Sequence, residues 1–389
     1  MTHHDEDWRA GGFGLYIHWP FCAAKCPYCD FNSHVSTKID QHVWAEAYLS
    51  EIDRVSRETE GRVLNTVFFG GGTPSLMDPD VVDTILTKVR SSWRLSNDLE
   101  ITLEANPTSI EAGRFRAYSE AGVNRVSMGM QAFNDADLRK LGRMHSAAEG
   151  RKAFDIARSV FDRVSFDLIY ARQDQTLDHW RQELNEALSM AIDHLSLYQL
   201  TVEDGTVFGA RAERGLLKGI PDDDSAADMY LLTQDLAEAA GFPAYEVSNH
   251  AKLGSESRHN LIYWRYGDYL GIGPGAHGRL TRNGIRHATD TLKHPGAWLS
   301  QVKKTGSGEA FREALRRDEE VTEFLLFGMR LAEGLDRHRY IALSGADFNE
   351  ERLAHLTSIG MIEADDNKIR ATREGRAVLN AVIRELLPD

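Results

Sequence analysis

The stretch Leu15-Tyr-Ile-His-Trp-Pro-Phe-Cys22-Ala-Ala-Lys-Cys26-Pro-Tyr-Cys29-Asp-Phe31 decides how the chain is read. Leu15–Trp19 is a short run of strand formers, and a C-x3-C-x2-C spacing follows it at once. The chain has three cysteines, and all fall in this segment, which leaves disulfides no part to play. Thiols so close together in a reducing compartment point to a metal centre mounted at the end of a strand.

Working outward, further β-rich runs occur at Thr66–Phe69, Ile101–Glu104, Val126–Met130, Val164–Tyr170 and His194–Leu200. Longer segments of helical periodicity separate them; between the first two runs, Trp44, Tyr48, Ile52 and Val55 form one apolar stripe. Units of this kind, about 30 residues apart, predict a parallel sheet with right-handed crossovers. The expected fold is therefore α/β, with six units forming a partial (β/α)6 barrel.

The strand ends are polar or glycine-rich. One ends in Gly70-Gly71-Gly72-Thr73-Pro74, the next in Glu104, and another in Gln131. Asp167 interrupts an apolar run, and Gln199 sits near the end of the sixth. In β/α barrels such ends converge on one rim, where chemistry sits. Each alone is equally well read as a strand-end residue satisfied by its neighbours. Five in succession read as a site. The glycine run is a backbone platform whose free N–H and C=O groups are expected to approach a ligand.

Two readings fit the cysteines. Zinc would need a fourth ligand such as His18 or His34, and zinc sites usually pair cysteines at two separated knuckles. No second knuckle exists in this sequence. A 4Fe-4S cubane takes thiolates readily, and three leave one iron open. S-adenosylmethionine can chelate that iron through its amino and carboxylate groups, placing its sulfonium where one electron yields a 5′-deoxyadenosyl radical.

Composition narrows the class. Hydrophobic residues make up 42% and charged residues 27%, as in ordinary soluble proteins. No apolar run approaches the roughly 18–20 residues of a membrane span. The opening MTHHDEDWRAGG is polar and acidic, unlike a secretory signal, so a cytoplasmic chain is expected. A net charge of −14 argues against nucleic acid as a partner.

The ordered segments LYIHWPFCAAKCPYCDF, VFFGGGTPS, ITLEANP, NRVSMGMQAFND, LGRMH, FDLIY, LSLYQLTVEDGT, YEVSNHA and YLGIGPGAH resemble the oxygen-independent coproporphyrinogen III oxidase family of radical enzymes. The resemblance spans about residues 13–385. Within the family the chain is more similar to the HemW-type haem chaperones than to the oxidase. Phe31 stands where the oxidase typically has a fourth cysteine, and fewer residues precede Cys22 than in the oxidase. His259-Asn-Leu-Ile-Tyr263 matches the HNxxY motif associated with haem.

The resemblance implies Cys22, Cys26 and Cys29 as cluster ligands. It implies Tyr16, Gly71 and Glu104 as contacts of S-adenosylmethionine, with Tyr28, Gly72, Thr73, Gln131, Arg143 and Asp167 lining the rest of that region. A departure lies at Ala171–Thr176, where the family usually has a Gly-Leu-Pro-Gly-like turn. The implied cargo is haem, with His259 and Tyr263 as candidate haem residues. A lone histidine such as His259 is more often a structural or surface residue than an iron ligand, and Tyr263, Trp264, Tyr266 and Tyr269 read as porphyrin stackers or as core. The implied partners are haem-accepting proteins, membrane-associated ones included, and a second copy in a homodimer. The alternative activity is oxidative decarboxylation of coproporphyrinogen III.

Three regions are expected: a barrel core over 1–205, an extension with the HNxxY segment over 206–318, and a C-terminal domain over 319–389. In the extension, 224–240 is expected to be helical. In the last region, helices near 337–344 and 348–358, a hairpin over Met361–Ala371 and a helix from Thr372 outline a winged-helix-like unit. Its acidic residues Glu350, Glu351, Glu363, Asp365 and Asp366 favour packing or a protein partner over DNA.

Anaerobic reconstitution is expected to give a brown protein with about four irons and four sulfides per chain. Alanine at Cys22, Cys26 or Cys29 should abolish the intact cluster. Zinc in stoichiometric amount, with no iron taken up on reconstitution, would refute this.

Overall fold

All six strands expected from the β-rich runs form: β1 (Phe13–Trp19), β2 (Val63–Gly71), β3 (Arg94–Ala105), β4 (Arg125–Gln131), β5 (Arg163–Tyr170) and β6 (His194–Gln199). Each pairs in parallel with the next. The computed structural model describes residues 3–36 and 38–388; Met1 and Thr2 of the acidic opening segment, Thr37, and Asp389 of the expected third region lie outside them.

A period of two within these strands organises the molecule. Val67, Phe69, Ile101, Leu103, Val126, Met128, Val164, Phe166, Leu195 and Leu197 join a single apolar core with the crossover helices. The alternate positions carry Thr66, Thr102, Arg125, Ser127, Ser165, His194 and Ser196, all buried. Several of those polar groups bond one another, while Thr66 bonds His259, His194 Nε2 lies 2.9 Å from the Tyr245 hydroxyl, and among the described residues His194 Nδ1 has no partner. Arg125 donates to Ser165 Oγ at 2.9 Å, Ser165 donates to Ser127 at 3.0 Å, and Ser196 donates to Asn249 Oδ1 at 2.8 Å. A buried polar layer is tolerable only when largely satisfied in this way.

The helix expected from the stripe is α1 (Gln41–Glu58), and Trp44, Tyr48, Ile52 and Val55 are all buried. Asp40 caps it, accepting from the Val43 N–H at 3.2 Å. Trp44 stacks on the fully buried Trp298 of α3 (Pro295–Thr305), with ring centres 5.5 Å apart and planes within 2°.

The sheet goes further than the apolar runs indicated. Among the described residues it has eleven strands, in the order β11 (Glu309–Ala314), β10 (Ile285–Thr291), β9 (His277–Arg282), β8 (Asp268–Ile272), β1, β2, β3, β4, β5, β6 and β7 (Asn249–Ala251), and it does not close. β7 pairs antiparallel with β6. β8 pairs in parallel with the free side of β1, and β9, β10 and β11 follow as antiparallel neighbours. The β9–β10 hairpin turns at Asn283-Gly284, both at positive φ, a dipeptide suited to such turns. Ahead of β8, the HNxxY segment is a short helix, α2 (Arg258–Trp264). The expected helix over 224–240 runs from Asp223 to Ala239.

In the C-terminal region, α4 (Arg317–Gly328) precedes helices at Arg337–Ser344 and Glu350–Ser358 and a small sheet completed by the Ile362–Ala371 hairpin. The expected helix from Thr372 is two, Arg373–Ala377 and Leu379–Leu386, because Val378 leaves helical geometry at φ −121°. Tyr266 from the preceding segment is part of this domain's apolar core. Ion pairs Arg339–Asp7 and Arg265–Glu333, each at 2.8 Å, join the domain to the rest. Among the described residues no helix is long and apolar enough to cross a membrane.

Trp298 anchors α3 against α1, packing on both Trp44 and Tyr48, whose ring centres lie 5.5 and 5.4 Å away. Trp298→Ala should lower stability by about 3–5 kcal/mol, the usual cost of emptying a buried tryptophan site. A loss below about 1 kcal/mol in urea unfolding would show the stack to be dispensable.

Candidate functional site

Strand β1 delivers the chain to the rim, and the cysteine loop folds back over it. Phe21–Cys22 pairs briefly with His34–Val35, closing a loop that contains all three thiols. Cys22 is buried, Cys26 and Cys29 are partly open, and none is in a disulfide. Burial pushes the Cys22 thiol up, opposed by the Thr73 hydroxyl, which donates to its Sγ at 3.4 Å. Burial also raises Cys29, whose Sγ lies 3.9 Å from Ser33 Oγ.

Beside the loop is a cavity of about 150 Å³. It is lined by Cys22, Cys26, Cys29, Tyr28, Gly71, Gly72, Thr73, Glu104, Gln131, Arg143 and Asp167. Strand ends far apart in sequence thus meet where the barrel reading expects. Gln199 does not join them; it is exposed and absent from the lining. Tyr16 lies next door, in a second cleft described below.

The glycine run works by close approach. Gly71 has φ +109°, and a Cβ there would fall 2.6 Å from the His18 ring. A Cβ on Gly72 would meet the Phe21 carbonyl oxygen at 2.7 Å. The expectation of free N–H groups in the run is not met. Gly71 donates to Glu104 Oε2 at 3.2 Å, Gly72 to the Trp19 carbonyl at 2.7 Å, and Thr73 to the Phe21 carbonyl at 2.8 Å. The last two bonds tie the start of the cysteine loop to the glycine run at the end of β2.

Arg143 follows the short helix Asp135–Lys140 and reaches over the cavity. Its guanidinium donates to Gly129 O at 2.9 Å, to Asn106 Oδ1, and to Cys26 Sγ at 3.4 Å. Its Nε is buried without a partner. Asn106 also donates to Thr73 Oγ1 at 3.1 Å. Asn106 was not among the residues singled out from the sequence. Its place two residues beyond Glu104 was the available signal, since alternate strand residues share a face.

Two carboxylates sit at the inner end. Burial, with the charge of Asp167 adding, pushes Glu104 up to about 8. Burial raises Asp167 to about 6, opposed by hydroxyls of Ser196 and Ser127 and by Arg125. Such a pair of buried carboxyls facing one cavity suits ligand hydroxyls or an ammonium group. The altered turn beside Asp167 is built around Arg172, which is buried and ion-paired with Glu183 at 2.6 Å and Asp137 at 2.9 Å. Ala171 and Asp174 take positive φ there, where glycine would be easier.

A larger cleft of about 750 Å³ adjoins the cavity and shares Lys25, Phe31, Ser33, Gly71 and Glu104 with it. Its other walls include Tyr16, His18, His34, Tyr263, Trp264, Tyr269, His277, Lys293 and Phe327. Phe31 is 61% exposed at this boundary. Tyr263 is thus a cleft residue, whereas His259 is only 1% exposed. His259 Nδ1 is 2.7 Å from Thr66 Oγ1, its Nε2 is 2.5 Å from Tyr263 Oη, and its ring stacks on Phe68. Burial, helped by the Arg125 charge, lowers it to about 3. Both ring nitrogens are engaged, so iron ligation by His259 would require that Tyr263 leave it.

The donor set fits a cubane: three thiols, a cavity with polar strand ends, and an arginine N–H lacking a partner. Among the described residues no three metal-binding side chains converge on one point. Thiolates of a cubane sit on separate irons and need no such convergence.

Residues 16–187 match the model of the radical SAM superfamily, and residues 315–378 that of the HemN C-terminal domain. The mitochondrial radical S-adenosyl methionine domain-containing protein 1 of Mus musculus is 38% identical over 96% of the chain and 87% of its own length. Heme chaperone HemW of Escherichia coli is 37% identical over 96% and 98%, and HemW of Mycobacterium tuberculosis 36% over 96% and 95%. The solved structure of coproporphyrinogen III oxidase (HemN) from Escherichia coli, a radical SAM enzyme, covers 99% of the chain and 92% of its own, with TM-score 0.81 and 22% identity. That likeness establishes the fold.

The raised Glu104 carries a measurable signature. Its ordinary value is near 4.5, so its contribution to stability is whole below that pH and lost as pH rises through about 8. Glu104→Gln should therefore gain on the wild type between pH 5 and 9, by roughly 1–2 kcal/mol for a carboxyl open on one side. Urea unfolding of cluster-free protein across that range is the measurement. A difference that does not change with pH would contradict the assignment.

Proposed function

Since the chain belongs to the family of the HemW proteins, within the radical SAM superfamily, we propose that it is a haem chaperone: it binds haem in the large cleft and passes it to haem-requiring proteins. Its cofactors are a 4Fe-4S cluster held by Cys22, Cys26 and Cys29, and S-adenosylmethionine in the adjoining cavity. When bound, the pair supplies one-electron chemistry at a sulfonium. We assign it to a reducing, cytoplasmic compartment, which keeps the three thiols available to iron.

One observation carries this reading. An aromatic cleft of about 750 Å³ opens directly onto the cysteine cavity and shares Gly71 and Glu104 with it. The size and lining suit a flat apolar ligand with a few polar anchors. Trp264, Tyr269 and Phe327 offer ring faces or edges, and Lys25 and Lys293 offer charge to carboxylates.

The chain's own residues have separable tasks. Arg143 holds its place through Gly129 and Asn106 and offers its remaining N–H to a carboxylate. Glu104 and Asp167 accept from hydroxyl or ammonium donors, releasing any proton they carry as they do so. Gly71 and Gly72 let a ligand approach the backbone closely. Glu104→Ala should weaken S-adenosylmethionine binding while cluster content stays near that of the wild type. Unchanged binding would remove Glu104 from the cofactor site.

Carrier and enzyme are distinguished by turnover. Anaerobic incubation with coproporphyrinogen III, dithionite and S-adenosylmethionine should give no protoporphyrinogen, while haem binds at about one per chain. Decarboxylation with catalytic turnover would overturn the carrier reading.

A further inference from the structure

Histidines in and behind the large cleft are separated by what their ring nitrogens already do. His18 has Nδ1 at 3.0 Å from the Tyr16 hydroxyl and Nε2 at 2.9 Å from the Asn32 carbonyl. His34 has Nε2 at 3.2 Å from Asn32 Oδ1 and a further bond to the Lys293 backbone. His259 is enclosed between Thr66 and Tyr263. His277 differs from all three. Its Nδ1 is 2.6 Å from Asp290 Oδ1, its side chain is 59% exposed, and it lines the cleft. Among the described residues nothing bonds its Nε2.

We propose that His277, through Nε2, is the residue that ligates haem iron in this cleft. The proposal rests on the haem-carrier reading and goes beyond it by naming a ligand outside the HNxxY segment. A carboxylate that accepts from Nδ1–H fixes the imidazole in the tautomer with a lone pair on Nε2 and makes that nitrogen a better donor to metal. Asp290 is placed to do this, since His277 and Asp290 are paired positions of β9 and β10.

The mount is rigid. His277 follows the tight 273–276 turn that leaves β8 and opens β9. A Cβ on Gly271 would lie 2.0 Å from the His277 carbonyl oxygen, so the backbone there is packed to contact. The Asn32 side-chain amide donates to Pro274 O and to Lys293 O, each at 2.9 Å. A residue of the cysteine loop therefore pins the turn that carries His277. A ligand held on strands and fixed turns keeps its geometry better than one on a free loop.

The test is titration of ferric haem into the full chain, read by the Soret band and, after reduction, by the iron–histidine stretching mode. The wild type should show the mode, and His277→Ala should lose it with at least about a tenfold drop in affinity. Imidazole added to His277→Gly should restore the histidine spectrum. Asp290→Asn should keep haem but shift the mode, and His259→Ala should leave it in place. Because His277 is exposed, circular dichroism and cluster content should match the wild type. A histidine mode that survives in His277→Ala, or vanishes in His259→Ala alone, overturns the assignment. A wild type that binds no haem at all overturns the carrier reading itself.

Discussion

The alternation of side chains along six parallel strands is the constraint on which the rest of this structure depends. A strand flanked by helices must present an apolar row outward, and Val67, Phe69, Leu103, Met128 and Phe166 do so. The inward row is then free to be polar, provided that its groups are largely satisfied. Arg125 sits in the middle of that row, bonded to Ser165, with Thr102 also within reach. It is buried and positive, and it acts on its neighbours in two directions. It opposes the rise of Glu104 and Asp167, and it helps to hold His259 neutral.

The polar row ends at the rim, where strand twist brings Gly71, Glu104, Gln131 and Asp167 to one cavity. The cysteine loop is held there by ordinary packing and hydrogen bonds. Gly72 and Thr73 bond to Trp19 and Phe21, Asn106 bridges Thr73 and Arg143, and Asn32 reaches Pro274 and Lys293. The loop thus has one foot on the site of the cysteines and another on the large cleft.

Parts of this were legible before any coordinates. The cysteine spacing, the six β-rich runs and the stripe of α1 each rest on local periodicity, and each has its counterpart in the structure. The helical and hairpin elements near the C-terminus were legible for the same reason. Strands β8 to β11 were not, because β8 is only five residues and is broken by Gly271, while β9 (HGRLTR), β10 (IRHATDT) and β11 (EAFREA) are mostly polar or charged and offer no apolar run. Asn283-Gly284 was the signal that could have revealed one hairpin among them.

The residues that do chemistry divide along the same line. The sequence alone determined that Cys22, Cys26 and Cys29 share one loop at a strand end, since spacing of a few residues is a covalent fact. It also determined which polar side chains stand at strand ends. Only the tertiary structure decided that His259 faces inward onto Thr66 and Tyr263, while His277 faces the cleft with a free nitrogen. Both are single histidines in plausible motifs, and local pattern treats them alike. What separates them is contact across long stretches of chain: His259 meets β2, and His277 meets Asp290 across a hairpin. Burial and hydrogen bonding arise from the packing of distant segments, and no periodicity within a segment encodes them.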